Sequence, residues 1–323
     1  MNLIICTTPL QSLIASKIID EYFDEDFIGI MISPIKNSKY DYYSNKLKNK
    51  CTHFFSYDMD VRDGKINYIN KLIRIKYIGK SLKDIDKIFV SSIDGVNIQL
   101  FISSIKSGQR KIITFDDGLA NLDRSSFLYS NNRNFLSLLG RLLGNKLDLE
   151  SLKKSSLKHY TIYRSNKNII DRLSYISLIN REQDNVEVNI YNKEKREVRI
   201  LIGQPVYELL EINSRDMLYK NVSLMEYVVK KFCIEYYIPH PRERYIVSGV
   251  NYIETELIIE DYFLNNLQED VNYVIYTFFS SALLFLLNFK NIQVISLKPR
   301  DIGEKISSSY EILNDNNINI IEI

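Results

Sequence analysis

The sequence predicts a two-domain α/β protein with a mostly parallel sheet in each domain, over residues 1–195 and 196–323. Three observations predict it. Short apolar runs alternate with longer amphipathic stretches, the order expected of a parallel sheet covered on both faces by helices. That series occurs twice, separated by a charged and polar stretch from Arg181 to Arg196 in which only Val186, Val188 and Ile190 alternate. The length, 323 residues, exceeds a typical single core and suits two domains of about 150 residues.

In the first series, Leu3 to Cys6 reads as a buried strand. A helix from Pro9 to Tyr22 follows, with Leu10, Leu13, Ile14, Ile18 and Tyr22 on one face. Phe27 to Ile32 is a second strand, Lys39 to Lys50 a helix, and His53 to Phe55 an extended segment. Lys87 to Ser91 is a strand ending in small polar residues, and Lys111 to Phe115 is one ending in acids, with a helix between them from about Asp94. Leu136 to Leu147 should be a helix and His159 to Tyr163 a strand.

The second series begins with a strand from Val198 to Ile202 that runs into Gly203-Gln204-Pro205. A helix over Ser223 to Phe232 leads to a strand, Ile234 to Ile238, that ends in Pro239-His240-Pro241-Arg242. Leu257 to Ile259 reads as short and extended, before a helix from Asp261. Tyr273 to Tyr276 ends in Thr277-Phe278-Phe279-Ser280-Ser281, and Asn291 to Ser296 is a further strand. Small polar and ionisable residues thus stand just past the carboxyl ends of successive strands, the rim where open parallel sheets bind ligands. Two Rossmann-type domains facing across a cleft is the architecture of GT-B glycosyltransferases, so a GT-B-like fold is expected by analogy of fold.

Composition excludes several classes. Basic and acidic side chains number 42 and 40, and a net charge of +2 gives no electrostatic case for nucleic acid. No Walker A loop, no G-x-G-x-x-G after a strand, no H-E-x-x-H and no G-x-S-x-G elbow occurs. Cys6, Cys51 and Cys233 form no metal spacing and are expected as buried free thiols in a reducing compartment. The amino terminus lacks a basic region before its apolar run, and no stretch approaches the roughly 20 apolar residues needed to span a bilayer. A cytoplasmic protein is expected, working at any membrane as a peripheral protein on its inner face.

Of the three histidines, His240 stands out. Two prolines stiffen its loop and Arg242 follows it, a setting that suits phosphate binding or proton donation to a phosphate leaving group. Thr277, Ser280 and Ser281 sit at a strand-to-helix junction, where hydroxyls and backbone N–H groups can receive an anion. Asp116-Asp117-Gly118 could hold a metal, act as a base or form an Asx-turn. Glu208 and Asp216, after the Gly203-Gln204-Pro205 turn, are further candidate carboxylates.

Several segments, in order, carry a resemblance. They are Lys39-Tyr40-Asp41-Tyr42-Tyr43, Thr114-Phe115-Asp116-Asp117-Gly118, His159-Tyr160-Thr161-Ile162, Tyr236-Tyr237-Ile238-Pro239-His240-Pro241-Arg242, Ile259-Glu260-Asp261-Tyr262 and Ile275-Tyr276-Thr277-Phe278-Phe279-Ser280. Together they resemble the bacterial lipooligosaccharide sialyltransferases of glycosyltransferase family 52. The resemblance implies a GT-B fold, CMP-sialic acid as donor, a terminal galactoside of a surface glycan as acceptor, an α2,3 linkage, and inversion without a metal or cofactor. It implies that His240 assists departure of the CMP phosphate, that Ser280 contacts that phosphate, and that Glu260 faces the cytidine. It also implies a homodimer. The base stays open among Glu208, the carboxylate nearest the Gly203-Gln204-Pro205 turn, Asp216 farther along, and Asp117, the second acid of a D/E-D/E-G motif. Gly203, Gln204, Arg242, Thr277 and Ser281 complete the expected substrate-binding set.

Two other readings fit the same features. One is a GT-B transferase using a nucleoside-diphosphate sugar. The other is a non-catalytic sugar-nucleotide-binding protein of a surface-polysaccharide system.

Overall fold

The computed structural model describes residues 1–60, 64–106, 111–130, 135–164, 168–179, 195–210, 216–301 and 306–323. The chain divides into two compact units, Met1–Glu182 and Gln183–Ile323. The connecting stretch read from Arg181 to Arg196 lies, but for Lys195 and Arg196, outside the described residues, and the expected division at 195/196 falls at the end of that stretch.

Unit 1 is built on seven strands: β1 (Asn2–Cys6), β2 (Phe27–Ser33), β3 (His53–Asp58), β4 (Lys87–Val90), β5 (Lys111–Phe115), β6 (Ser156–Thr161) and β7 (Leu173–Tyr175). Every pairing is parallel, in the order β3-β2-β1-β4-β5-β6-β7. β1 and β2 are buried at every residue. That is why they read as unbroken apolar runs rather than as alternation. The helices are α1 (Pro9–Glu21), α2 (Ser38–Lys48), α3 (Lys65–Ser81), α4 (Val96–Ser104), α5 (Phe135–Leu142) and α6 (Leu149–Ser155). Thr8 starts α1, its hydroxyl accepting from the Gln11 N–H at 3.3 Å with Pro9 at the first helical position.

Two helices differ from expectation. The single helix expected over Leu136 to Leu147 is two. α5 closes with the Asn145 N–H on the Gly140 carbonyl and the Gly144 N–H on the Arg141 carbonyl, both at 2.9 Å. Gly144 itself sits at φ +95°, a conformation that favours glycine. α6 then restarts on a capping box between Asp148 and Ser151. α3 lay in a stretch where no element was read. Its apolar positions are scattered among cations; Leu72 and Ile75 are buried, and Tyr68 and Ile78 pack half-buried against the same core.

Unit 2 has six parallel strands: β8 (Arg196–Ile202), β9 (Tyr236–Ile238), β10 (Asn251–Tyr252), β11 (Val271–Thr277), β12 (Ile292–Lys298) and β13 (Asn319–Glu322). Their order is β10-β9-β8-β11-β12-β13. Counted from β8 as the first, this is the 3-2-1-4-5-6 order that also runs through β3 to β6 of unit 1. The helices are α7 (Asp216–Lys231), α8 (Ile259–Asn266), α9 (Ala282–Leu286) and α10 (Ser307–Asp315). Leu257 to Ile259 is not a strand. The strand is Asn251–Tyr252, and Ile259 already opens α8, whose first turn carries Glu260 and Asp261 against the positive end of the helix.

The thiols are free, but only Cys6 is buried. Cys233, expected inside, is exposed at φ +52°, in the turn that ends α7. Among the described residues no helix is long and apolar enough to cross a membrane.

One buried carboxyl holds the far half of the first sheet together. Asp116 is fully buried and accepts from the Thr161 hydroxyl (2.7 Å), the Ile162 N–H (2.7 Å) and the Asn168 amide (3.2 Å), and it pairs with His159 Nε2 (2.9 Å). Asp116→Ala strands these groups in a dry site. It is expected to cost about 3–5 kcal/mol in denaturant unfolding, and a loss under about 1 kcal/mol would show the network to be dispensable.

Candidate active site

The strand order of each sheet reverses between its first and fourth strands, and the crevice at the carboxyl ends of those strands is where such sheets take ligands. In unit 1 that crevice opens after β1 and β4. Thr7, just past β1, hydrogen-bonds to Ser92, just past β4, at 2.8 Å. Gln11, fully buried on α1, receives the Thr7 N–H on its carbonyl at 2.6 Å and donates its amide to Ser92 at 2.9 Å and to Asp117. Ser92 in turn donates to Asp117 Oδ2 at 3.1 Å.

Asp117 reaches this crevice because its neighbour points elsewhere. Adjacent side chains of an extended segment face opposite ways. With Asp116 held inward, Asp117 is turned to the crevice, its N–H on Asn121 Oδ1 at 2.6 Å. Gly118 follows at φ +95°, so the third residue of Asp-Asp-Gly makes the turn. Burial pushes the Asp117 carboxyl up to about 7, aided by the charges of Asp94 and Asp116, while hydrogen bonds from Gln11 and Ser92 act the other way. A carboxyl poised there suits a general base at neutral pH. Gln11, Thr7 and Ser92 were not picked out from the sequence. The available signal was position: Thr7 and Ser92 are polar residues just after apolar strands.

In unit 2 the corresponding crevice lies after β8 and β11. Gln204 accepts the Phe279 N–H at 3.2 Å, so the expected Gly203-Gln204-Pro205 turn and the Thr277-to-Ser280 run meet. Thr277 is fully buried and its hydroxyl has no partner. Ser280 is half-buried and accepts the Ala282 N–H at 3.3 Å, while Ser281 makes no side-chain cap on the short helix α9.

His240 follows β9 on the same rim. Its Nδ1 accepts the Arg242 N–H at 3.2 Å, so a neutral ring carries its proton on Nε2. The expected pairing of His240 with Arg242 is therefore through the backbone, and the Arg242 side chain is exposed. Glu260 is buried in the first turn of α8 beside Asp261, which accepts from Asn265. The two acids after the Gly203 turn are both exposed: Glu208 lies in the 3-10 turn Val206–Leu210, and Asp216 opens α7.

A carboxyl that the sequence did not single out ties this rim together. The Glu243 N–H donates to the His240 carbonyl at 2.9 Å, and Glu243 Oε2 accepts from Tyr237 at 2.7 Å. Its other oxygen lies against Gly203, where any Cβ would overlap both Glu243 Oε1 and the Tyr237 hydroxyl. Burial pushes Glu243 up to about 7, and the charge of Glu208 contributes to the rise. Sequence reading passed over Glu243 because its burial depends on Gly203, distant in the chain. Among the described residues, no group of three or more His, Cys, Asp or Glu side chains could hold a metal ion.

Two parallel sheets of this order define the GT-B class. Two solved structures share the fold. LpCGTa in complex with UDP matches with a TM-score of 0.54 at 6% identity, covering 99% of this chain and 84% of that one. TcCGT1 in complex with UDP matches with a TM-score of 0.51 at 10% identity, covering 100% and 85%. The sequence pattern of glycosyltransferase family 52 matches residues 24–301, and the chain belongs to that family. A CMP-N-acetylneuraminate:beta-galactoside alpha-2,3-sialyltransferase of Pasteurella multocida is 38% identical over all of this chain and 99% of its own length. N-acetyllactosaminide alpha-2,3-sialyltransferases of Neisseria meningitidis and Haemophilus influenzae are 32% and 34% identical, over 94% and 91% of this chain and 80% and 91% of theirs.

Gly203 is the residue on which the unit 2 rim closes. Gly203→Ala is expected to displace Glu243 and Tyr237, and with them the His240 loop. Stability should fall by about 1–3 kcal/mol in denaturant unfolding, and turnover of the folded fraction should fall as well. A folded variant with unchanged turnover would show that His240 does not depend on this contact.

Proposed function

We propose that this chain is an inverting, metal-independent sialyltransferase that moves sialic acid from CMP-sialic acid to the 3-position of a terminal galactoside of a bacterial surface glycan. The observation that carries the mechanism is His240, whose ring is oriented by the Arg242 N–H so that Nε2 holds the proton. Nε2 donates to the phosphate oxygen of the departing CMP. A nucleoside monophosphate leaves with less charge than a diphosphate, so an imidazole and hydroxyl donors can stabilise it. Ser280 and Thr277 supply those hydroxyls, Arg242 counters the phosphate charge, and Glu260 holds the cytidine. Asp117 takes the proton of the acceptor hydroxyl, which attacks the anomeric carbon from the opposite face, and configuration inverts.

A second assignment of the base rests on Glu208. Its charge is felt by Glu243, so it stands near the His240 rim. Asp117 is favoured because burial already brings it to about 7, whereas Glu208 and Asp216 are exposed.

The decisive assay incubates the protein with CMP-sialic acid and lactose in EDTA and identifies the product linkage by NMR. α2,3-Sialyllactose is the expected product. Turnover only with UDP-sugars would establish a different transferase, activity restored only by Mn²⁺ or Mg²⁺ would remove metal independence, and CMP binding without turnover would establish a binding protein.

In that assay His240→Ala should lower kcat by roughly 10²–10⁴ with a smaller effect on CMP binding. His240→Asn should recover part of the loss if hydrogen bonding matters more than proton transfer. A folded His240→Ala enzyme with wild-type kcat would remove His240 from the mechanism.

The pH profile tests the base. A base must be ionised, and protonation of Asp117 below about 7 removes it. The value of kcat/KM should therefore decline roughly tenfold per pH unit on the acidic side. Glu243 titrates in the same range, so Glu243→Gln should keep this limb and Asp117→Asn should abolish both limb and activity. Loss of activity in Glu208→Gln, with Asp117→Asn active, would transfer the role to Glu208.

A further inference from the structure

Glu243 is an ionisable group of unit 2 that sialyl transfer leaves without a task. It ends a four-residue turn, closed by its own N–H on the His240 carbonyl at 2.9 Å, with Pro241 and Arg242 at the bend. From there its side chain reaches back to the sheet. Oε2 accepts from the hydroxyl of Tyr237, which is fully buried on β9 and meets the Tyr252 ring of β10 edge-on at 5.2 Å. Oε1 is buried against Gly203 and has no hydrogen-bond partner among the described residues. The Tyr245 hydroxyl stands near the carboxyl, also buried, without reaching hydrogen-bonding geometry.

The groups that face this carboxyl are phenols, backbone and another acid. They are Tyr237, Tyr245, the backbone of His240, and Glu208, whose charge opposes its ionisation. The Tyr252 hydroxyl is occupied by the Val247 N–H at 2.7 Å, the His240 ring by the Arg242 N–H, and the side chains of Arg242 and Arg244 are exposed. Among the described residues the ion pairs of unit 2 lie elsewhere, at Arg196–Glu235, Arg199–Glu197 and Lys298–Glu322. A carboxylate needs donors on both oxygens. Here one oxygen accepts and the other meets none, the pattern of the acid form with its proton on Oε1. Ionisation would leave a charged oxygen dry and unpaired, and burial accordingly pushes Glu243 up to about 7.

The same carboxyl lies where an anion is to dock. Gln204, the residue after Gly203, accepts the Phe279 N–H and so joins this turn to the run from Thr277 to Ser280. We propose that Glu243 takes up a proton when the donor phosphate docks in unit 2 and releases it when the nucleotide leaves, so that its acid form is the donor-binding form. The proposal rests on the reading of unit 2 as the cytidine-phosphate site. An anion brought to this rim raises the affinity of the carboxyl for its proton further. By linkage, the proton raises affinity for the anion by the same factor. Below about 7 Glu243 is already neutral and donor affinity is at its full value. Above that pH the ionised carboxyl must first be reprotonated, and affinity falls by up to about tenfold per pH unit.

The test is calorimetric titration of the full chain with cytidine 5′-methylphosphate, a phosphodiester that keeps one charge from neutral to alkaline pH. Wild-type affinity should fall with rising pH as stated, and the binding heat at neutral pH should vary with the ionisation enthalpy of the buffer in the sense of proton uptake. Glu243→Gln is neutral at every pH and still accepts from Tyr237. It should bind at alkaline pH as tightly as wild type binds at neutral pH, with a heat independent of the buffer. A slope that persists in Glu243→Gln and vanishes in His240→Asn would overturn the proposal and give the proton to the imidazole. Wild-type affinity that does not change with pH would overturn it while leaving the donor site in place, whereas a chain that binds the diester at no pH would overturn both. If Glu243→Gln does not fold, infrared difference spectra of the wild type decide. Binding should add the carbonyl stretch of a protonated carboxyl, a band that an imidazole does not give, and its absence would overturn the proposal.

Discussion

The carboxyl of Asp116 is the constraint on which the first unit depends. It is fully buried, and it is met by donors from β6, from the turn after it and from the segment that leads to β7. A buried acid without such partners would be untenable, so the arrangement is all or nothing. His159 extends it, its Nδ1 sharing a 2.8 Å hydrogen bond with the Thr114 hydroxyl on β5. The backbone of Asp116 is fixed as well, since its N–H donates to the Tyr160 carbonyl and its carbonyl accepts from Ser91. With Asp116 fixed at every polar group, the next residue has one direction left, and that direction is the crevice after β1 and β4. The orientation of Asp117 is thus a consequence of the burial of its neighbour.

The second unit solves the same problem with a glycine instead of a network. Gly203 leaves space at the end of β8, and Glu243 and Tyr237 fill it. The loop that carries His240 is drawn onto the turn by this contact, with the Gly203 N–H on the Ile238 carbonyl at 2.8 Å closing it from the other side. Both crevices place a carboxyl whose affinity for its proton burial has raised to near neutrality. Such a group is neutral part of the time at physiological pH, which lessens its repulsion of an anionic ligand while keeping its ionised form accessible.

The division into two α/β series was legible because parallel strands buried on both faces are apolar throughout, and because helices with an amphipathic period separate them. β5 and α1 were readable almost to the residue for this reason. α3 was not, because only Leu72 and Ile75 of its apolar residues are fully buried and its remaining apolar positions are interspersed with cations. The split of α5 from α6 depends on Gly144 taking a positive φ, which a lone glycine in an apolar stretch does not announce. Of the proposed site, the places of His240 and Ser280 just past strand ends could be read from the local sequence, since prolines and an apolar run mark them. Glu243 and Gln11 could not. Their placement rests on contacts with Gly203 and Asp117, forty and 106 residues away, and a sequence holds no record of which distant residue a buried polar group will meet.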